Sequence, residues 1–387
     1  MAVSETDEIR LFTPLRLRDV ELPNRIAISP MCQYCAVDGL ADDWHLVHLG
    51  RFAIGGAGLV MVEATAVEAR GRISHGDLGL YRDDQIAPLR RITEFLRRCG
   101  TVPGIQLGHA GRKASMQRAW RGNGPLAPED FARSDHPWSV IAPSPFSAAE
   151  GWPLPQAMTL DDIAAVTKAW TAAAVRADRA GFDVLEVHAA HGYLLHSFLS
   201  PLSNRREDDY GGSFSNRARL LLKVVRSVRQ TWPAGKPLFV RISATDGMED
   251  GWNLDDSLRL VRLLYAEGVD VIDCSSGGLA NSATAPGVQE LPRKAGFQIP
   301  FAAAIREETG KPVMTVGLIL DADLAEATLA KGEADMIAIG RGALNDPNWP
   351  EHARRALAPH TEATTVPPQI GWWMIRWLRL VRRLGLI

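Results

Sequence analysis

His188, His191 and Tyr193 fall in the string His188-Ala-Ala-His191-Gly-Tyr193, directly after the apolar run Phe182-Asp-Val-Leu-Glu-Val187. Such a run reads as a buried strand. Two imidazoles and a phenol therefore leave the C-terminal end of a strand, where α/β barrels carry their chemistry. Paired imidazoles can hold an oxygen that gains negative charge. A phenol can give up a proton. His188-x-x-His191 has the spacing of a metal pair but lacks the Glu of a metalloprotease helix.

Other residues with chemical capacity also sit at strand ends. Gly317 follows one apolar run, in Thr315-Val-Gly317, and Gly340-Arg341-Gly342 follows another. Backbone N–H groups there can cradle a phosphate, with Arg341 adding charge, although glycines also simply end strands. Arg241, in Phe239-Val-Arg241-Ile-Ser, and Gln106, in Gly104-Ile-Gln106-Leu, interrupt apolar strands and should point into a barrel mouth. A buried Arg needs an anionic or electron-rich partner. A flavin ring is one such partner, and a barrel carboxylate such as Glu186 or Asp273 is the alternative. Cys32, Tyr34 and Cys35 follow a further strand. Cys32-x-x-Cys35 could be a redox pair, but Cys99 and Cys274 do not complete a zinc site, so no metal is expected.

The elements that must position these groups alternate regularly. Strands are expected over 25–31, 58–66, 102–107, 182–187, 237–242, 269–274, 312–316 and 334–339. Helical patterns fill the intervals: 45–54, 83–99, 159–180, 215–231, 254–267, 301–309, 322–330 and 349–357. Thr159 and Asn253 each precede an acidic first turn, as capping residues do. Gly100, Gly181, Gly268, Gly310 and Gly332 mark helix ends. Eight β–α units predict an α/β fold, a (β/α)₈ TIM barrel. The segment 108–157 is long, irregular and rich in Gly, Pro and Trp, and is read as a lid or capping subdomain after strand 3.

Composition agrees. Of 387 residues, 46% are hydrophobic and 23% charged, enough for a sizeable core. A net charge of −2 argues against nucleic-acid binding. Four cysteines fit a reducing compartment rather than a disulfide scaffold. The polar, acidic opening over 1–10 has no signal-peptide pattern, so a cytoplasmic location is expected.

Taken together, the motifs strongly resemble the Old Yellow Enzyme family of FMN-dependent ene-reductases. They are most similar to its thermophilic-like branch, which includes xenobiotic reductases. The likeness runs from residue 11 to about 372. It is carried by Leu11-Phe-Thr-Pro-Leu, Leu22-Pro-Asn-Arg-Ile, Met31-Cys32-Gln-Tyr34, Val62-Glu-Ala-Thr-Ala66, Gln106-Leu-Gly-His-Ala-Gly-Arg-Lys113, His188-Ala-Ala-His-Gly-Tyr193, Phe198-Leu-Ser-Pro-Leu-Ser-Asn-Arg205, Tyr210-Gly-Gly-Ser213 and Val240-Arg-Ile-Ser243.

The resemblance implies that Ser29, Pro30, Cys32, Ala64, Gln106 and Arg241 line the FMN ring and ribityl chain, and that Gly317, Gly340 and Arg341 hold its phosphate. Cys32 stands where other members carry a Thr and would tune the flavin. NAD(P)H would reduce FMN, and hydride would then pass from N5 to the β-carbon of an activated alkene. His188 and His191 would hold the substrate carbonyl, Tyr193 would protonate the α-carbon, and Tyr34 would be a second phenol at the substrate end. A homodimer or homotetramer is implied, with Trp372 reaching into the neighbouring subunit's site.

The implied organisation is an FMN-binding barrel over 1–360, with its lid at 108–157, and a C-terminal segment over 361–387. The stretch 278–294 and the insertion 118–138 are particular to this chain and could reshape the pocket. On a helical wheel, Arg376, Arg379, Arg382 and Arg383 share one side of the tail, opposite Trp373, Trp377, Leu380, Val381 and Leu384. Two readings stay open for residues 373–387: a weak membrane-surface contact, or packing on a barrel or partner. Two alternatives to ene reduction also stay open: a nitroester or nitroaromatic reductase using the same site, and a flavin-based redox sensor using Cys32 and Cys35.

Overall fold

The computed structural model describes residues 9–279 and 293–386. Most of the stretch 278–294 therefore lies outside the described residues.

Eight parallel strands close into a barrel: β1 (Ile26–Ile28), β2 (Leu59–Ala66), β3 (Val102–Gly108), β4 (Val184–Ala189), β5 (Leu238–Ser243), β6 (Val271–Ser275), β7 (Val313–Thr315) and β8 (Met336–Ile339). Each pairs with its successor, and β8 returns to β1 through Ile337–Ile26, Ala338–Ala27 and Ile339–Ile28. The helices are α1 (Asp43–Ile54), α2 (Ile86–Arg98), α3 (Leu160–Arg179), α4 (Phe214–Thr231), α5 (Leu254–Ala266), α6 (Ile299–Thr309), α7 (Ala322–Ala330), α8 (Trp349–Leu357) and a tail helix α9 (Pro368–Arg383). The expected caps are present. Thr159 Oγ1 accepts from Asp162 N at 3.1 Å, and Asn253 Oδ1 from Asp256 N at 3.0 Å. Gly310, at φ +62°, ends α6 in the left-handed region that glycine enters without strain.

Alternation along the strands stacks the barrel interior in layers. The bottom layer is apolar: Leu59, Met61, Val184, Phe239, Val271, Met314 and Met336. An antiparallel hairpin, Leu15–Leu17 with Val20–Leu22, plugs it with Leu17 and Leu22. Two residues further along β3 to β6, the register sets Gln106 beside Glu186 and Arg241 beside Asp273. One step higher come His188, Ser243 and Ser275. The interior thus turns from apolar to polar toward the C-terminal mouth.

The connection between β3 and α3 lies over that mouth. It contains a short helix (Pro128–Phe131) and a parallel pair of two-residue strands, Ile141–Ala142 with Gln156–Ala157. Ala110, Ala114, Met116 and Val140 from this connection form a buried cluster with Ile73, and Tyr34, Trp138, Trp152 and Tyr193 pack against it. Trp138 Nε1 donates to the Arg70 carbonyl at 3.0 Å.

Candidate active site

β4 runs two residues further than its apolar pattern, so His188 is still in the strand and faces inward above Glu186. The chain then turns sharply, with His191 at φ +60° and Gly192 at φ +73°. A Cβ on Gly192 would stand 2.6 Å from the Gly278 carbonyl, so only glycine fits. A short helix, Leu194–Leu199, follows.

The loops after β3, β5 and β6 hold this turn. Gly192 N donates to His196 Nδ1 at 2.7 Å, and the opposite ring nitrogen lies 2.9 Å from Asp246 Oδ1. Asp246 also accepts from Ser200 Oγ at 2.6 Å and Trp252 N at 2.7 Å. Leu194 N donates to the His109 carbonyl at 2.9 Å. Lys113 Nζ donates to the carbonyl of His191 at 2.8 Å and to that of Gly278. Burial, reinforced by Arg112, lowers the Lys113 pKa to about 7. His191 N donates to Ser243 Oγ at 3.0 Å.

The three groups singled out from sequence come together. The ring of His188 meets that of His191 at 5.2 Å and that of Tyr193 at 5.0 Å, both edge to face. Ala190 N donates to His188 Nδ1 at 3.3 Å, which leaves the Nε2–H of a neutral ring as donor. His191 Nε2 lies 2.7 Å from Ser275 Oγ. Its Nδ1 is a donor when the serine hydroxyl gives its hydrogen to Nε2. Burial, then the nearby Arg241, holds both imidazoles well below the usual histidine range. They are therefore neutral at pH 7. Burial also pushes the Tyr193 and Tyr34 phenols up, so both keep their protons. A small open cleft lies beside His188 and Tyr193, lined also by Ala64, Gly108 and Asp77.

The residues expected to form a cofactor bed lie in or just after the barrel strands. Ser29 and Pro30 follow β1, and Ala64 lies in β2. Gln106 Nε2 donates to Glu186 Oε1 at 2.7 Å. Arg241 Nε lies 3.2 Å from Asp273 Oδ2, so the ion-pair alternative for Arg241 is present. That pairing leaves groups over: Ser29 Oγ, Glu186 Oε2, Asp273 Oδ1 and Thr315 Oγ1 are buried without a hydrogen-bond partner. Orphaned polar atoms around an arginine suit a polar ring seated at the mouth. Gly317, at φ +122°, follows β7 and could not carry a Cβ, which would stand 2.8 Å from Gln298 Nε2. Gly340 follows β8, where a Cβ would meet only Ser29, at 3.8 Å, so this strand end leaves room for a ligand. Arg341 is exposed beside it. The residues present fit FMN.

Cys32 is a free thiol, pushed well up by burial and by Glu63. That favours a hydrogen-bonding group over a peroxide-sensitive thiolate. Cys35 is also free, and burial with Glu63 and Asp42 pushes it up to about 12. Its sulfur lies 3.6 Å from His45 Nε2, and His45 Nδ1 lies 2.7 Å from Asp42 Oδ1. These three could approach a metal ion. Asp42 and His45 already form the reciprocal cap of α1. Tyr34 is met edge-on by Trp120 at 6.0 Å, and Arg118 donates to its carbonyl, so the 118–138 insertion borders the substrate end. Trp372 stands apart from this cluster, on α9, half exposed and touching Trp373 and Arg376.

Lys113, His196, Asp246, Ser243 and Ser275 were not singled out from sequence. Lys113 and Ser243 sit inside motifs already quoted, which was the available signal. His196 and Asp246 carried none.

Known proteins place this geometry. The profile of the NADH:flavin oxidoreductase / NADH oxidase family matches residues 10–359. An NADPH dehydrogenase of Geobacillus thermodenitrificans is 42% identical over 364 residues, 94% of this chain and 98% of that protein. An NADH:flavin oxidoreductase of Gibberella zeae is 43% identical over 347 residues, 86% of this chain and 82% of the other. Morphinone reductase in complex with tetrahydroNAD is similar at 27% identity and TM-score 0.70, covering 90% of this chain and 91% of that one. An old yellow enzyme homologue from Zymomonas mobilis shares the fold at TM-score 0.72 and 24% identity, covering 92% and 94%. The chain belongs to this family, the Old Yellow Enzymes, and is an oxidoreductase that uses FMN and NAD(P)H.

Proposed function

We propose that the protein reduces the carbon–carbon double bond of α,β-unsaturated carbonyl compounds. The observation that carries this is the neutral pair His188 and His191 beside the protonated Tyr193. Bound FMN supplies the hydride, taken from NAD(P)H and delivered to the β-carbon. His188 Nε2–H and His191 Nδ1–H hold the carbonyl oxygen and stabilise the negative charge that develops on it. As uncharged donors they keep their protons while that charge forms. Tyr193 gives its proton to the α-carbon. Lys113 and Ser243 hold the backbone of His191, and its Nδ1 carries the proton when the Ser275 hydroxyl turns from Gln298 Oε1 to His191 Nε2. Tyr34, with Trp120 behind it, borders the substrate. Arg241 holds negative charge on the flavin edge, and Cys32 offers a weak S–H donor there. Trp372 is proposed to complete the site of a neighbouring copy in a homodimer or homotetramer.

Anaerobic stopped-flow tests the reading. The holoenzyme is reduced with NADPH or NADH and mixed with cyclohexenone. Return of the oxidised flavin spectrum together with saturated ketone supports ene reduction. Reoxidation by nitroesters or nitroaromatics but not by the enone would replace it with nitro reduction.

A further inference from the structure

Helix α9 carries an apolar arc wider than the surface that covers it. Gly371, Leu378 and Val381 are buried against the molecule, with Met374 and Ile375 half-buried beside them. Next to that seam, Trp373, Trp377, Leu380 and Leu384 are 66%, 55%, 51% and 60% exposed. At 100° per residue these four occupy an arc of about 60°, next to the buried seam. Arg376, Arg379 and Arg383 line the other flank, and residues 368–386 contain no acidic side chain. Glu362 pairs with Arg379, Arg382 donates to the Pro359 carbonyl, and Arg376 lies 4.7 Å over the Trp372 ring. The helix lies wholly beyond residue 359, where the family match ends.

Two surfaces could cover such a stripe. The 4-3-4 spacing suits a second copy of the helix. In an antiparallel self-pair, however, Arg376 and Arg383 would flank the seam and face the same arginines of the other copy. Charge complementarity favours an anionic surface. Exposed tryptophans flanked by arginines match a helix lying at a lipid headgroup boundary. Sixteen residues with four arginines do not span a bilayer, and no helix among the described residues is long and apolar enough to do so. We propose that α9 docks the protein on membranes rich in anionic phospholipid, with Trp373, Trp377, Leu380 and Leu384 inserted at the interface.

The test is flotation of the FMN-loaded, full-length protein with phosphatidylcholine vesicles, with and without phosphatidylglycerol. The protein is expected to float only with the anionic vesicles, with a blue shift of tryptophan emission, and to be released by high salt. Trp377→Glu and Leu380→Glu should abolish flotation and leave the flavin spectrum and its bleaching by NADPH unchanged. Arg376→Gln and Arg383→Gln should each weaken binding about fivefold. Failure of the wild type to float overturns the proposal. So does a change from dimer to monomer in Trp377→Glu, seen by sedimentation, with no lipid binding by the wild type. That result would assign the stripe to a second copy.

Discussion

In the proposed mechanism His188 and His191 act as neutral donors, and this has a direct kinetic consequence. Their pKa values lie well below the ordinary histidine range, so neither titrates near pH 6.5. Reoxidation of the flavin by enone should therefore show no imidazole step between roughly pH 6 and 8. A step there that persists when Lys113, whose pKa is lowered to about 7, is replaced by Met would mean a charged ring takes part. Tyr193→Phe should leave reduction by NADPH intact and slow enone reoxidation by about 10²–10⁴-fold, read in the same stopped-flow traces. Glu63 poses a different electrostatic case. Its Oε2 accepts from Gln33 N at 3.0 Å, but Oε1 is buried without a partner, and burial with Asp77 nearby raises its pKa. The native state thus keeps this proton to higher pH than the unfolded chain. The stability that Glu63 contributes is lost as pH rises above about 4.5. Glu63→Gln keeps the Gln33 bond and removes that loss. Its melting temperature should exceed that of the wild type by a margin that widens from pH 5 to pH 8. The polar residues of the barrel interior were readable where they interrupt an apolar strand, as at Gln106 and Arg241. The chemistry was unreadable where function comes from meetings of distant loops, such as His191 with Ser275 or Gly192 with His196.

At the scale of elements, the turn after β4 is the most constrained piece of the site. Gly192 meets the loop after β6, and His196 and Asp246 fix its N–H from below. Gly192→Ala should cost about 1–3 kcal/mol in urea unfolding and slow turnover with enone more than reduction by NADPH, because it displaces His191 and Tyr193 together. Elements were largely legible because each kind announces itself locally. Strands buried on both faces are unbroken apolar runs, and capping side chains precede acidic first turns. What periodicity could not supply was the end of β4. His188 and Ala189 are paired with Arg241 and Ile242 although nothing apolar prolongs the run. Cross-strand pairing set that boundary. The segment 108–157 was legible as a capping subdomain after strand 3, but not its internal folding, since its order rests on single tryptophans and on Asp130, which accepts from Gln117 and Ala127.

Across the whole molecule, the barrel separates its tasks by height. The bottom is an apolar plug and the mouth is polar. Leu22→Ala at the plug should lower stability by about 2–5 kcal/mol in urea unfolding and leave FMN affinity in a spectral titration unchanged. A matching fall in affinity would show that the two ends are coupled. The closure of β8 onto β1 has a further consequence, in time rather than in space. Ser29 and Cys32 lie near the start of the chain, and Gly317, Gly340 and Arg341 near its end. Glu326 also accepts from the backbone N–H groups of Arg10 and Leu11 at 2.9 and 2.8 Å. During synthesis the first strand must wait, with its edge unpaired, until the last one leaves the ribosome. Such late, long-range pairing is slow and exposes the nascent chain to aggregation. With the cofactor held by these residues, as proposed, a partly made chain would not grip FMN, and cofactor loading would follow translation.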